Sequence, residues 1–69
     1  MNTFPQRIKE LRIANNLTQK EVANFIGMSL MAYAHYELGD RQPSLDTVNK
    51  LCDLFTVTSD YLLGRTDNY

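Results

Sequence analysis

Sixty-nine residues leave room for one small domain, and 43% hydrophobic against 22% charged residues fits a globular chain rather than a disordered one. Seven Lys/Arg against eight Asp/Glu give a net charge of −1, so composition alone does not announce a nucleic-acid binder. No run nears the ~18 apolar residues of a membrane span, Met1–Pro5 lacks signal-peptide features, and one Cys with one His excludes a disulfide scaffold and a self-contained zinc site.

Strand-type alternation, repeats and low-complexity runs are missing from the sequence, while apolar residues recur at helical spacing throughout, which predicts an all-α fold of five short helices. The first places Phe4, Ile8, Leu11 and Ala14 inward and Arg7, Lys9, Glu10 and Asn15 outward, and Asn15-Asn16 ends it. Thr18-Gln19-Lys20-Glu21 is a capping box opening the second helix, with Leu17 and Val22 as its hydrophobic staple. That helix runs through Ile26 to Gly27. Ser29 caps a third helix from Leu30 to about Leu38, with Gly39 as its left-handed stop and Tyr33 and Tyr36 as core residues. After the loop Asp40–Pro43, Ser44 caps a fourth helix whose inward face is Leu45, Val48, Leu51, Cys52 and Phe55. Cys52 reads as a small buried hydrophobe, with a redox sensor as the alternative. Thr56 closes this helix where Gly or Asn would be easier. Thr58 or Ser59 caps a fifth helix ending at Gly64, so the domain is expected over 1–64 with 65–69 as a loose polar tail.

The second and third helices, joined through Gly27-Met28-Ser29, have the form of a helix-turn-helix. In that motif the first helix crosses the phosphate backbone and the second offers its N-terminal residues to base edges in the major groove. Helix dipoles favour phosphate at both starts. Charge is also polarised. Residues 1–20 carry Arg7, Lys9, Arg12 and Lys20 against Glu10, a local +3, whereas residues 44–69 carry Lys50 and Arg65 against Asp46, Asp53, Asp60 and Asp67, a local −2.

The runs Thr18–Ala23, Ile26–Ser29, Tyr33-x-x-Tyr36-Glu37-x-Gly39, Pro43-Ser44-Leu45 and Asp60–Gly64 together resemble the phage-repressor (lambda repressor/Cro, Xre-type) helix-turn-helix family across roughly residues 4–64. The resemblance implies a compact five-helix lambda-repressor-like domain and a sequence-specific transcriptional regulator of bacterial or phage type, a repressor. It also implies a homodimer on a palindromic operator in double-stranded DNA. Thr18 and Gln19 match family residues that touch phosphates. Leu30, Met31, Ala32 and His35 match the base-reading positions of the recognition helix, its cap Ser29 counts among the DNA-binding residues, and Arg41 matches a backbone-contacting loop. Arg12 and Glu37 match an inward salt bridge. Pairing near the last helix makes Phe55, Val57, Tyr61 and Leu62 candidates for a dimer contact, the alternative being that all four close the monomer's own core.

Leu30, Met31 and Ala32 cannot make the bidentate hydrogen bonds that read guanine or adenine, but they suit thymine methyl groups. That leaves His35 as the polar reader, of base or phosphate, or else as a solvated imidazole. The Leu30-Met31 pair serves as base contact, as a patch for a protein partner, or as packing against a neighbouring helix. Arg7, Lys9 and Lys20 neutralise phosphates or merely solvate the surface. Asp40 sits where a basic residue would help, and Phe25 where a polar one is usual. A second reading is therefore an antitoxin- or antirepressor-like interaction module with weak DNA recognition. No nucleophile–base pair or phosphate-cradling Gly loop suggests an enzyme. A cytoplasmic protein without cofactor, metal or small-molecule substrate is expected.

Overall fold

The computed structural model describes residues 3–69; Met1 and Asn2 of the expected domain lie outside the described residues. Five helices follow in order: α1 (Thr3–Ala14), α2 (Gln19–Phe25), α3 (Leu30–Leu38), α4 (Leu45–Phe55) and α5 (Ser59–Leu62). The hydroxyls of Thr18, Ser29, Ser44 and Thr58 each accept the N–H three residues on, at Glu21, Ala32, Thr47 and Tyr61. Each cap contributes about 1 kcal/mol. At the other ends, Asn16, Gly39 and Thr56 take left-handed conformations that close α1, α3 and α4. The second helix stops at Phe25, slightly earlier than expected, with Ile26 as its closing residue.

Every helix gives the core one fully enclosed side chain: Ile8, Val22, Tyr33, Leu51 and Leu62. Around them pack Phe4, Leu11, Ala23, Ile26, Tyr36, Val48 and Phe55. The α3 helix lies on α2 and α1, while α4 and α5 pack on each other and on α1. α1 is thus the platform joining the two halves.

Several expected placements differ. Phe55 and Leu62, two of the dimer candidates, are buried in the monomer's core: with one turn in α5, Leu62 is its inward anchor, and Phe55 continues the Val48–Leu51 stripe. Leu45 is 75% exposed rather than inward, because it precedes the covered part of α4. Thr47 is buried instead, its Oγ1 accepting from Ser44 Oγ at 3.1 Å. Ala14 is exposed, at the end of α1 where the chain turns away. Cys52 is half-buried, and burial, aided by the Asp53 charge, pushes its thiol above the usual range. It therefore stays protonated, as a structural thiol does.

Residues of the 65–69 segment make contacts with α1 and α5. Arg7, expected to point outward, is half-buried and donates through Nη1 to the carbonyls of Tyr61 (2.8 Å) and Thr66 (2.6 Å) and through Nη2 to Asp67 Oδ1 (2.6 Å). Its guanidinium lies 4.2 Å from the Tyr61 ring centroid, and Tyr69 stacks on the same ring at 4.7 Å.

Candidate nucleic-acid interface

The bent pair α2–α3 is built by local bonds. Thr18 Oγ1 accepts from Glu21 N at 3.1 Å and Thr18 N donates to Glu21 Oε1 at 2.8 Å, so the reciprocal box is formed. At the far end of α2, Met28 N reaches back to Ala23 O at 2.9 Å around left-handed Gly27 (φ 73°), which reverses the chain into Ser29. Leu17 and Met28 pack against the core on either side of α2.

Tyr33 and Tyr36 anchor α3, and their burial turns the opposite side of the helix to solvent. Leu30 is 48% and Met31 70% exposed, and Met31, His35 and Leu38 follow at helical spacing along the open side. Ala32 is half-buried. An exposed apolar start to a capped helix is the shape a groove-entering element needs. Leu38, with 73% of its surface free, extends that apolar edge and was not singled out by the sequence pattern.

Beneath α3 lies a polar network. Arg12 Nε donates to Glu37 Oε2 at 2.7 Å and Arg12 Nη2 to Glu37 Oε1 at 3.2 Å, while Arg12 Nη1 bonds Leu17 O at 3.0 Å. Gln19 Nε2 also donates to Glu37 Oε1, at 3.1 Å. Burial pushes the Glu37 carboxyl up, but the donors around it outweigh that and hold it below the usual range. Tyr33 Oη is buried beside this pair with no partner in good hydrogen-bond geometry; burial, then the close approach of the Glu37 carboxylate, raises its hydroxyl well above the ordinary tyrosine value. Arg12 is thereby a tie between α1, the α1–α2 turn and α3. Gln19, expected on phosphate, has its amide nitrogen turned to Glu37.

Two basic or titratable groups flank the open face. Arg41 is exposed, its guanidinium 5.8 Å from the Tyr36 ring centroid. His35 Nδ1 lies 2.8 Å from Asp40 Oδ1. The sequence signal for this pair is the left-handed stop at Gly39, which folds the chain back on the last turn of α3. Of the dimer candidates, Val57 and Tyr61 are half-buried, and Tyr61 is already engaged by Arg7 and Tyr69. A separate groove of about 400 Å³ is lined by Phe4, Pro43, Leu45, Val48 and Leu63 with Arg41 and Gln42. Among the described residues no three metal-ligating side chains cluster, and no helix is long and apolar enough to cross a membrane.

The helix-turn-helix family model matches residues 8–62. The chain is 43% identical over 64 residues to the cryptic phage CTXphi transcriptional repressor RstR of Vibrio cholerae, covering 93% of this chain and 58% of that protein. It is 35% identical over 63 residues to the SPbeta prophage-derived HTH-type transcriptional regulator YonR of Bacillus subtilis, covering 91% of this chain and 58% of that one. The chain thus spans a little over half the length of these relatives. Its fold superimposes on the P22 c2 repressor, solved in complex with a synthetic operator, with a TM-score of 0.85 at 22% identity, covering 91% of this chain and 96% of that one. A capped, bent α2–α3 pair with an open second helix, matched over most of the chain, identifies it: the protein belongs to the helix-turn-helix family of phage-repressor type.

Proposed function

We propose that the chain binds double-stranded DNA as a transcriptional regulator, a repressor, engaging a palindromic operator as a homodimer. The observation that carries this reading is the exposure of Leu30 and Met31 at the capped start of α3, with His35 one turn further along. Thr18 and Gln19 at the start of α2, together with Ser29 and Arg41, supply contacts to the phosphate backbone, which set register and carry no sequence information. Leu30, Met31 and Ala32 meet thymine methyl groups, and His35 reads a base edge. The relatives' names as transcriptional repressor and regulator, and the operator bound to the P22 c2 repressor, support the assignment. With Phe55 and Leu62 in the core, Val57 and Tyr61 remain for a contact between copies. Two recognition helices would then stand about 34–36 Å apart.

The decisive experiment is an unbiased selection of duplex oligonucleotides by the purified chain at moderate salt. Enrichment of an inverted repeat supports the regulator and the dimer together. A second reading, a protein-interaction module, is favoured by one observation: Leu30, Met31 and Leu38 are exposed apolar residues of α3, and Phe25 at the end of α2 is exposed as well. The double substitution Leu30→Ser with Met31→Ser separates the two. Loss of operator binding with an intact fold supports DNA reading, whereas selection that enriches nothing from the unmodified chain supports the module.

A further inference from the structure

His35 and Asp40 face one another across the end of α3. Gly39 (φ 84°) donates to the carbonyls of His35 and Tyr36, and Asp40 N donates to His35 O at 3.3 Å, so the left-handed turn brings the Asp40 side chain back over the last helical turn. His35 Nδ1 then sits 2.8 Å from Asp40 Oδ1, with both side chains open to solvent on their far sides. An ionised carboxylate only accepts. A bond from the ring to an ionised carboxylate thus requires hydrogen on Nδ1. The neighbours of the ring at helical spacing, Met31 and Leu38, carry no charge. Glu37 is turned to Arg12 of α1 and Gln19 of α2, Glu21 of α2 is bound to Thr18, and Arg41 lies over Tyr36. Of the charged groups on α2 and in the following loop, Lys20 is exposed at the start of α2. Asp40 is the group bonded to the imidazole.

We propose that Asp40 is a positioning residue that fixes the tautomer of His35, and through it the class of base edge that α3 reads. With hydrogen on Nδ1, the neutral ring presents Nε2 as a bare acceptor. In the major groove its complement is an exocyclic amino group, N6 of adenine or N4 of cytosine, rather than the acceptors N7 and O6 of guanine. The adenine choice agrees with the apolar Leu30 and Met31, because an A·T pair offers the amino group and the thymine methyl on one edge. A protonated ring would carry hydrogen on both nitrogens and turn to guanine or phosphate instead. This inference rests on the DNA-binding reading above, but its first step concerns the free protein alone.

The sequence has one histidine, so long-range proton–nitrogen-15 correlation spectra of the intact chain report on His35 without ambiguity. At a pH where the spectrum shows the ring neutral, the unmodified chain is expected in the Nδ1–H form, and Asp40→Ala is expected to move it to Nε2–H. Asp40→Asn, whose carbonyl still accepts, should retain Nδ1–H. An Nε2–H ring in the unmodified chain overturns the proposal, whatever the protein does with DNA. Duplex selection with the same variants supplies the second arm. One adenine or cytosine position per half-site should lose about fivefold to tenfold of its discrimination in Asp40→Ala and keep it in Asp40→Asn. Unchanged base preference overturns the reading role while leaving DNA binding intact. The Nδ1–H form without any enriched duplex overturns the DNA-binding reading instead, and the base-reading step with it.

Discussion

Arg12 and Glu37, 25 residues apart, form a two-pronged ion pair whose carboxylate side chain is only 5% exposed. The pair ties α1 to α3, and Gln19 extends it to the start of α2. Arg12→Ala should therefore destabilise the domain by about 3–5 kcal/mol, because it strands a buried charge. Arg12→Met with Glu37→Leu should cost much less than the sum of the single changes. Urea denaturation followed by circular dichroism measures both; single variants as stable as the unmodified chain would show that the pair does not hold α3 in place.

Acid should release the same tie. Burial alone would raise the Glu37 carboxyl, but Arg12 and its fellow donors win and hold it below the ordinary range. The folded state thus binds the proton less readily than the unfolded chain does. Its contribution is full above the unfolded glutamate value, about 4.3, and is lost as pH falls through the lower folded value. Urea midpoints taken from neutral pH down to about pH 3 should fall more steeply for the unmodified chain than for Glu37→Gln.

Thr56 holds φ 56° and ψ 50° at the end of α4, a left-handed conformation that crowds a β-branched side chain. Thr56→Gly and Thr56→Asn should stabilise the domain, by about 1 kcal/mol for glycine, since the strain relieved exceeds the entropy added to the unfolded chain. Thermal melts decide it. A lower melting temperature in both variants would mean that the threonine side chain earns its place by packing.

Element order and helix starts were legible because they are local. Thr18, Ser29, Ser44 and Thr58 announce their helices through hydroxyls that act within three residues. Asn16 and Gly39, both left-handed, announce the ends of α1 and α3. Placement on the inner or outer face was less secure at helix termini, where periodicity cannot say whether a neighbour is present to cover a residue; Leu45 and Ala14 are exposed for that reason. Arg7 was misplaced because its partners lie more than 50 residues away and are mostly backbone carbonyls, which leave no pattern in side-chain types. At the candidate interface, exposure of Leu30 and Met31 follows from the burial of Tyr33 and Tyr36, which the sequence did indicate. The His35–Asp40 bond depends on how tightly the chain folds back after Gly39, a matter of turn geometry.

Gly64 (φ 79°) stands where α5 meets the start of α1, and a Cβ added there would fall on the Thr3 hydroxyl, with Thr3 Cβ itself at 3.2 Å. Gly64→Ala combines a left-handed backbone with that clash, so a loss above about 1 kcal/mol is expected. Pairing it with Thr3→Ala, which removes the hydroxyl, should recover part of the loss while the backbone cost remains. No recovery in the melting temperature would assign the whole effect to backbone conformation.

Arg7 separates the worth of an ion pair from that of a packed guanidinium. Its partner Asp67 has a side chain 95% exposed, so the charge pair itself should contribute under about 1 kcal/mol. The carbonyls of Tyr61 and Thr66 and the Tyr61 ring hold the rest of the group, which is 15% exposed. Asp67→Ala should leave stability nearly unchanged, whereas Arg7→Ala should cost about 1–2 kcal/mol. Amide hydrogen exchange supplies the spatial readout. Protection at residues 65–69 should survive in Asp67→Ala and vanish in Arg7→Ala, while equal loss in both variants would make the exposed carboxylate, not the carbonyls and ring, the anchor of the tail.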